Sequence, residues 1–266
     1  MTLVSWRQLC DRGEDLVLCV DFAGGRAGAG FADLVRKLPT EARFLHIGQT
    51  PAGPDAVAPL ATCAGRWAGE VLGAGRRLRG VLGFCAGAPV ATAIADALVD
   101  AGTEPPPVLL FDAVTVSGTT LCDQFLAAME SSAQHLTVDE VDDARKLPAD
   151  LLTRYGQDDL PSIAAQLVDR YRRLMTQLAP KLRIGTFLDE LVGGFTAYMS
   201  YLVVASGGTL DLRDGTPVFL SSKDHELDFE PVSHLPFQTT GGDLLRDDDV
   251  AKAVADLLDR KEPAPS

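Results

Sequence analysis

The sequence predicts an α/β protein: a mostly parallel sheet with helices on both faces and a long helical insertion. Three observations carry that prediction. Short apolar runs of strand length alternate with helical spacing as far as Asp112, the pattern then turns almost wholly helical from about Val114 to Gly208, and strand-like runs return before a closing helix. Strands that read as continuous apolar runs are those buried on both faces of a parallel sheet.

Taken in order, Leu16-Val17-Leu18-Cys19-Val20-Asp21-Phe22 reads as a buried strand, and Gly24-Gly25-Arg26-Ala27-Gly28 as a flexible loop after it. Phe31 to Leu38 has helical spacing, and Arg43 to Ile47 reads as a second strand. Pro59 to Leu72 suits a helix, with proline tolerated in its first turn. Leu78 to Phe84 is a third strand that runs straight into a glycine-containing turn and a helix over Ala88 to Ala101. Pro105-Pro106-Pro107 punctuates, and Val108-Leu109-Leu110-Phe111 is a fourth strand ending at Asp112. The insertion contains helical spacing over Leu121 to Ser132, Ser162 to Leu178 and Phe187 to Val204. Pro217 to Ser221 and Leu235 to Gln238 resume the sheet, and Asp248 to Leu258 closes it as an amphipathic helix. An insertion between strands of such a sheet suits a lid over the C-terminal edge, where α/β sites lie; a helical subdomain without a gating role has the same pattern.

At 266 residues the chain needs only one α/β domain, residues 1–266, with the insertion at about 114–208, and its 46% apolar content can fill the core. A formal net charge of −13 argues against nucleic acid or an acidic membrane as the main partner. No apolar run approaches the roughly 20 residues that span a bilayer, and the first residues lack the basic-then-apolar order of a signal peptide, so a cytoplasmic location is expected. The five cysteines, Cys10, Cys19, Cys63, Cys85 and Cys122, are scattered and form no CxxC pair, so neither a disulfide framework nor a metal site is expected.

Cys85 stands apart. Gly83-Phe84-Cys85-Ala86-Gly87 has the spacing of a nucleophile elbow with cysteine where serine is usual. Such an elbow turns a strand sharply into a helix, strains its middle residue, and needs glycine where a Cβ would collide. The helix N-terminus also favours a thiolate. The plain alternative is a buried cysteine in an ordinary strand–turn–helix. Asp112, at the end of the next strand, would share the same sheet edge, although aspartate at a strand end is also a common turn or cap residue.

In these residues the chain resembles the thioesterases of nonribosomal peptide and polyketide assembly lines, within the α/β-hydrolase superfamily. The resemblance rests on the Gly83–Ala91 elbow, the Val108–Ala113 strand, the helical insertion and the ending Leu244-Leu245-Arg246-Asp247-Asp248-Asp249-Val250. It implies a carrier-bound thioester substrate, with phosphopantetheine arriving on an acyl or peptidyl carrier protein and no cofactor of the enzyme's own. It implies that Asp112 orients a catalytic histidine, and that the Ala86 amide and the backbone near Gly24 or Gly25 form an oxyanion hole.

The histidine is where the chain departs from the family. Relatives place Gly-His before an apolar pair and the closing helix; Thr240-Gly241-Gly242-Asp243-Leu244-Leu245 has Asp243 in that place. Of the four histidines, His234 precedes the last strand and lies roughly 20 Å of extended chain from the functional edge. His46 ends a strand, where a core residue has the same setting, and His135 is in the insertion. His225, which follows a strand, is the best substitute, although a solvated loop histidine has the same sequence setting.

A thiol partly ionises near neutral pH and attacks a thioester without a strong base, whereas water needs a positioned one. Cysteine with a missing histidine therefore favours shuttling the acyl group to another acceptor, as thioesterase-like aminoacyl transferases do. The rival readings are a hydrolytic editing thioesterase with His225 as base, a non-catalytic binding protein, and a cyclase or other acyl-modifying enzyme. Two arginine groups, Arg76, Arg77 and Arg79 before and within the elbow strand and Arg170, Arg172 and Arg173 on the insertion, could receive a phosphate or an acidic carrier face, or be ordinary surface charge.

Overall fold

The computed structural model describes residues 3–22, 28–47, 58–130, 132–182 and 185–259. The strands are β1 (Trp6–Asp11), β2 (Leu16–Val20), β3 (Arg43–Ile47), β4 (Leu78–Phe84), β5 (Val108–Phe111), β6 (Val218–Ser221) and β7 (His234–Pro236). They form one seven-stranded sheet in the order β1-β3-β2-β4-β5-β6-β7. All neighbours pair in parallel except β1, which runs antiparallel to β3 at the edge. The order doubles back between β3 and β4 and then grows outward, so crossover segments lie on both faces.

The helices of this sheet layer are α1 (Phe31–Lys37), α2 (Leu60–Leu72) and α3 (Ala88–Asp100), with α8 (Asp248–Asp259) closing it at the end of the described chain. One face of the sheet, Val17, Phe44, Leu82, Phe111 and Leu220, packs with Phe31 and Leu34 of α1 and Val250 and Val254 of α8. Each of these large side chains is worth about 1.5–3 kcal/mol when fully buried. Side chains alternate along a strand, so Gly83 faces away from Leu82; α3 covers that side. A Cβ on Gly83 would come within 2.7 Å of the Ala91 methyl and 2.8 Å of the Ala88 Cα. Glycine there is what lets α3 lie against β4.

The chain divides into two compact units. One comprises the described residues of Met1–Gln49, Ala58–Thr115 and Gly207–Ser266; the other is helical and includes Val116–Ser206. In the helical unit the elements are α4 (Gly118–Glu130), α5 (Val138–Tyr155), α6 (Leu160–Leu182) and α7 (Leu188–Ala205). Its core includes Phe195 of α7 stacked on Tyr171 of α6 at 4.2 Å between centroids. Thr137 and Glu140 form a reciprocal capping box that starts α5, in which each side chain accepts from the other's backbone N–H.

Two elements lay outside what the sequence pattern suggested. β1 is an edge strand with mostly exposed or half-buried residues, so it has no continuous apolar run. α5 has few buried residues and contains Pro148, which hides its periodicity. Among the described residues, no helix is long and apolar enough to cross a membrane and no cluster of ligands could hold a metal ion.

Candidate active site

Three adjacent parallel strands deliver the site. The β4–β5 register pairs Phe84 with Phe111, which puts Cys85 and Asp112 side by side as the next residues of each chain. The β5–β6 register pairs Phe111 with Leu220, and the Asp112 N–H continues the ladder to the Leu220 carbonyl at 3.0 Å. Ser222 and the turn that follows it therefore reach the same edge. Phe111 itself is fixed edge-to-face against Phe31, with centroids 5.8 Å apart.

Cys85 has φ of 52°, the strained left-handed conformation an elbow imposes on a residue with a Cβ. It is half-buried and begins a single turn of 3-10 helix, Cys85–Gly87, that runs into α3. Gly87 is indispensable to this turn, since a Cβ there would sit 2.2 Å from the Val20 carbonyl oxygen of β2. Ala86 lies in the first turn, where backbone N–H groups have no acceptor within the helix itself. Gly24 and Gly25, the expected partners in an oxyanion hole, lie outside the described residues. Two buried thiols elsewhere, Cys19 and Cys122, are poor nucleophiles. Burial pushes the Cys122 thiol up to about 11 and the Cys19 thiol well above its ordinary value, with Asp21 adding to the latter.

Asp112 is also in a left-handed conformation, with φ of 40°, and is buried. Its carboxylate does not meet a histidine in the way the sequence suggested. Oδ1 accepts from the Ser222 backbone N–H at 2.8 Å, and Oδ2 accepts from the Ser222 hydroxyl at 2.9 Å. The backbone of Gly241 closes the remaining side, close enough that a Cβ on it would stand 3.0 Å from Oδ2. Asp224 completes the ring: its Oδ1 accepts from the Gly241 N–H at 2.8 Å, and its carboxyl, with the Ser222 side chain and then the Gly241 N–H beside it, is held below the usual carboxylate range. Asp112 braces the loops that carry Ser222 and Gly241.

The place expected for the family histidine is occupied differently too. Asp243 is exposed and bonds Thr240 and Arg246, each at 3.3 Å. The neighbouring Gly242 carbonyl accepts from the Ala29 N–H at 2.8 Å, which fastens this loop to the segment before α1.

His225 reaches the edge but binds the backbone. Its Nε2 lies 3.0 Å from the Ala113 carbonyl oxygen, and its own N–H closes a turn onto the Ser222 carbonyl at 3.3 Å. His46 is buried, in line with a core reading of its strand, and is in hydrogen-bond contact through Nε2 with Asp21, a partner the sequence did not indicate. His135 sits in the helical unit, and His234 opens β7 at the end away from the site.

Of the two arginine groups, Arg76, Arg77 and Arg79 are at the opposite end of β4 from Cys85 and face Glu14, Asp15 and Asp259. Arg173 pairs with Asp169 of its own helix, and Arg170 lies 3.9 Å from Asp143.

No protein-family model and no curated relative matches the sequence. Solved structures do. A thioesterase domain of Vlm2, bound with a dodecadepsipeptide, aligns with 99% of this chain and 100% of its own at a TM-score of 0.53 and 18% identity. The NocB thioesterase domain, in a covalent complex with a fluorophosphonate nocardicin G analogue, aligns with 96% of this chain and 100% of its own at 0.52 and 16%. The chain has the α/β-hydrolase fold. A four-domain nonribosomal peptide synthetase, AB3403, gives a TM-score of 0.59 at 16% identity over 98% of this chain, which accounts for 20% of that larger protein.

Proposed function

We propose that the chain is a thioesterase-like acyltransferase of natural-product assembly, which takes an acyl group from a carrier-protein thioester onto Cys85 and passes it to a second acceptor thiol. The observation that carries this reading is the pair formed by a strained elbow cysteine and an aspartate bonded to Ser222 and not to a histidine. The likeness in fold to thioesterase domains supports the substrate class. Membership of the thioesterase family, the cytoplasmic location and a carrier protein as partner belong to the same proposal.

In the first step the Cys85 sulfur attacks the thioester carbonyl, and the phosphopantetheine thiol leaves with the proton lost by Cys85. The Ala86 amide would receive the developing oxyanion. In the second step an incoming thiol repeats the exchange in reverse. Both steps trade one thioester for another and are nearly balanced in free energy. Water is excluded as acceptor by kinetics, because an aspartate engaged by Ser222 is not holding a base that could activate it.

The test is intact-mass measurement after mixing the protein with an acyl-carrier thioester, followed by addition of a second carrier thiol. An adduct on the wild type, none on Cys85→Ala, and transfer of label to the second carrier is the expected result. Label appearing as free acid at the same rate with or without acceptor would establish the editing hydrolase in its place. No adduct under any condition would identify a binding protein.

A further inference from the structure

The buried pair His46 and Asp21 borders a cavity that the acyl-transfer reading does not use. Arg7 lies directly opposite His46 in the antiparallel β1–β3 register, and Cys19 lies beside His46 in the parallel β2–β3 register. Residues in register share a face of the sheet, and Asp21, two residues beyond Cys19, has the same facing. Arg7, Asp21 and His46, with Leu9 and Phe31 as apolar walls, line a cavity of about 110 Å3. Cys85 is not part of its described wall. His46 Nε2 donates to Asp21 Oδ1, and the two side chains are only 6% and 3% exposed. The other ring nitrogen, Nδ1, is buried with no hydrogen-bond partner among the described residues. Native side chains rarely leave a buried polar atom unsatisfied, and a bound water or ion is an ordinary reason for one that looks so. Arg7 is exposed and enters no ion pair among the described residues.

We propose that this cavity is a binding site for a small carboxylate, held between the Arg7 guanidinium and Nδ1 of a His46 imidazolium, with Asp21 as the counter-charge behind the ring. Charge decides the ligand class. A neutral ring with its proton on Nε2 offers a lone pair at Nδ1, which suits a donor such as an ammonium group; a doubly protonated ring offers an N–H, which suits an anion. Arg7, on the same face, repels the ammonium and matches the planar fork of a carboxylate. With the ligand in place, Arg7 and His46 balance Asp21 and the bound anion. The other ionisable groups around the ring leave that balance alone. From β2, burial and then Asp21 push the Cys19 thiol well above its ordinary value, so it stays uncharged. From α1, Asp33 accepts from the Gly30 N–H at 3.0 Å and pairs with Arg36. The volume of about 110 Å3 admits an acid of formate or acetate size and not a long acyl chain.

The test is titration of the full chain with sodium acetate, followed by nitrogen-15 NMR of ring-labelled histidine with the His46 signals assigned through His46→Gln. Acetate should shift the His46 signals saturably in the millimolar range, and at saturation both ring nitrogens should carry a proton. Sodium chloride at the same ionic strength and methylammonium chloride should not reproduce the shift. Arg7→Gln, a change at an exposed position that leaves the core untouched, should weaken acetate binding by at least about 10-fold, the loss expected for one charge-assisted hydrogen bond. His46→Gln keeps a donor for Asp21 but has no charge, and should weaken binding, read by calorimetry, at least as much. No saturable response to acetate, a neutral His46 ring in the saturated complex, an equal response to chloride, tighter binding of methylammonium, or unchanged affinity in Arg7→Gln would each overturn the proposal. None of these readouts involves Cys85, so their failure leaves the acyl-Cys85 reading standing, and the failure of that reading leaves this site.

Discussion

At the scale of single residues, the chemistry of the site turns on what Asp112 does with its two oxygens. A buried carboxylate is tolerable only when its oxygens are satisfied, and Ser222 supplies both donors. That arrangement gives Asp112 a structural role, which decides what substitution should do. Asp112→Asn keeps the shape but replaces one acceptor with an NH2 group facing the Ser222 N–H or hydroxyl. Hydrogen bonds to charged groups contribute about 1.5–3 kcal/mol, so the variant should lose stability on that order in urea denaturation. An Asp112→Asn protein as stable as the wild type would mean that the Ser222 bonds are weak in solution. Cys85 and Asp112 were both legible in the sequence, because elbow spacing and strand ends fix them locally. Ser222 was not. Its partnership depends on β6 lying beside β5, and nothing in Ser221-Ser222-Lys223-Asp224 announces that neighbour, although two carboxylates and a hydroxyl close together are a signal once the edge is known.

At the scale of elements, the elbow works because two close approaches occur on either side of Cys85. α3 presses on Gly83, and β2 presses on Gly87. The second is the tighter, with the would-be Cβ 2.2 Å from a backbone oxygen that cannot rotate away. Gly87→Ala should therefore cost about 1–3 kcal/mol or more of stability, the range for overpacking, and should lower the melting temperature with it. Gly30→Ala is the control, since a Cβ there meets nothing within 4 Å. Equal melting temperatures for the two variants would contradict the packing described. Buried strands β2 to β6 were recognisable because both of their faces are covered, giving apolar runs without alternation. β1 was not, because its exposed positions carry polar residues and its place depends on a long-range antiparallel partner. The outer edge of β7 is guarded in a way the sequence does state: Pro236 has no N–H, which weakens that edge as a template for another strand.

At the scale of the whole molecule, the net charge of −13 opposes an acidic partner, and the site does not relieve that opposition. The turn beyond β6 carries Asp224, Glu226, Asp228 and Glu230 with Lys223 beside them, close to the edge where a carrier arm would enter. Arg76, Arg77 and Arg79 lie at the far end of β4 and face carboxylates. An acidic carrier protein should therefore approach against a repulsive field. Raising the ionic strength from about 0.01 to about 0.15 M shortens the Debye length from about 30 to about 8 Å and screens that field. The second-order rate of acyl transfer from an acidic carrier should rise several-fold across this range. The same acyl group on a small neutral thiol should react at a nearly constant rate, because it carries no charge for the field to act on. The comparison between the two donors isolates encounter from chemistry. A rate that falls with salt for the carrier alone would mean that attraction, not repulsion, governs docking, and would point to a basic patch that outweighs the net charge.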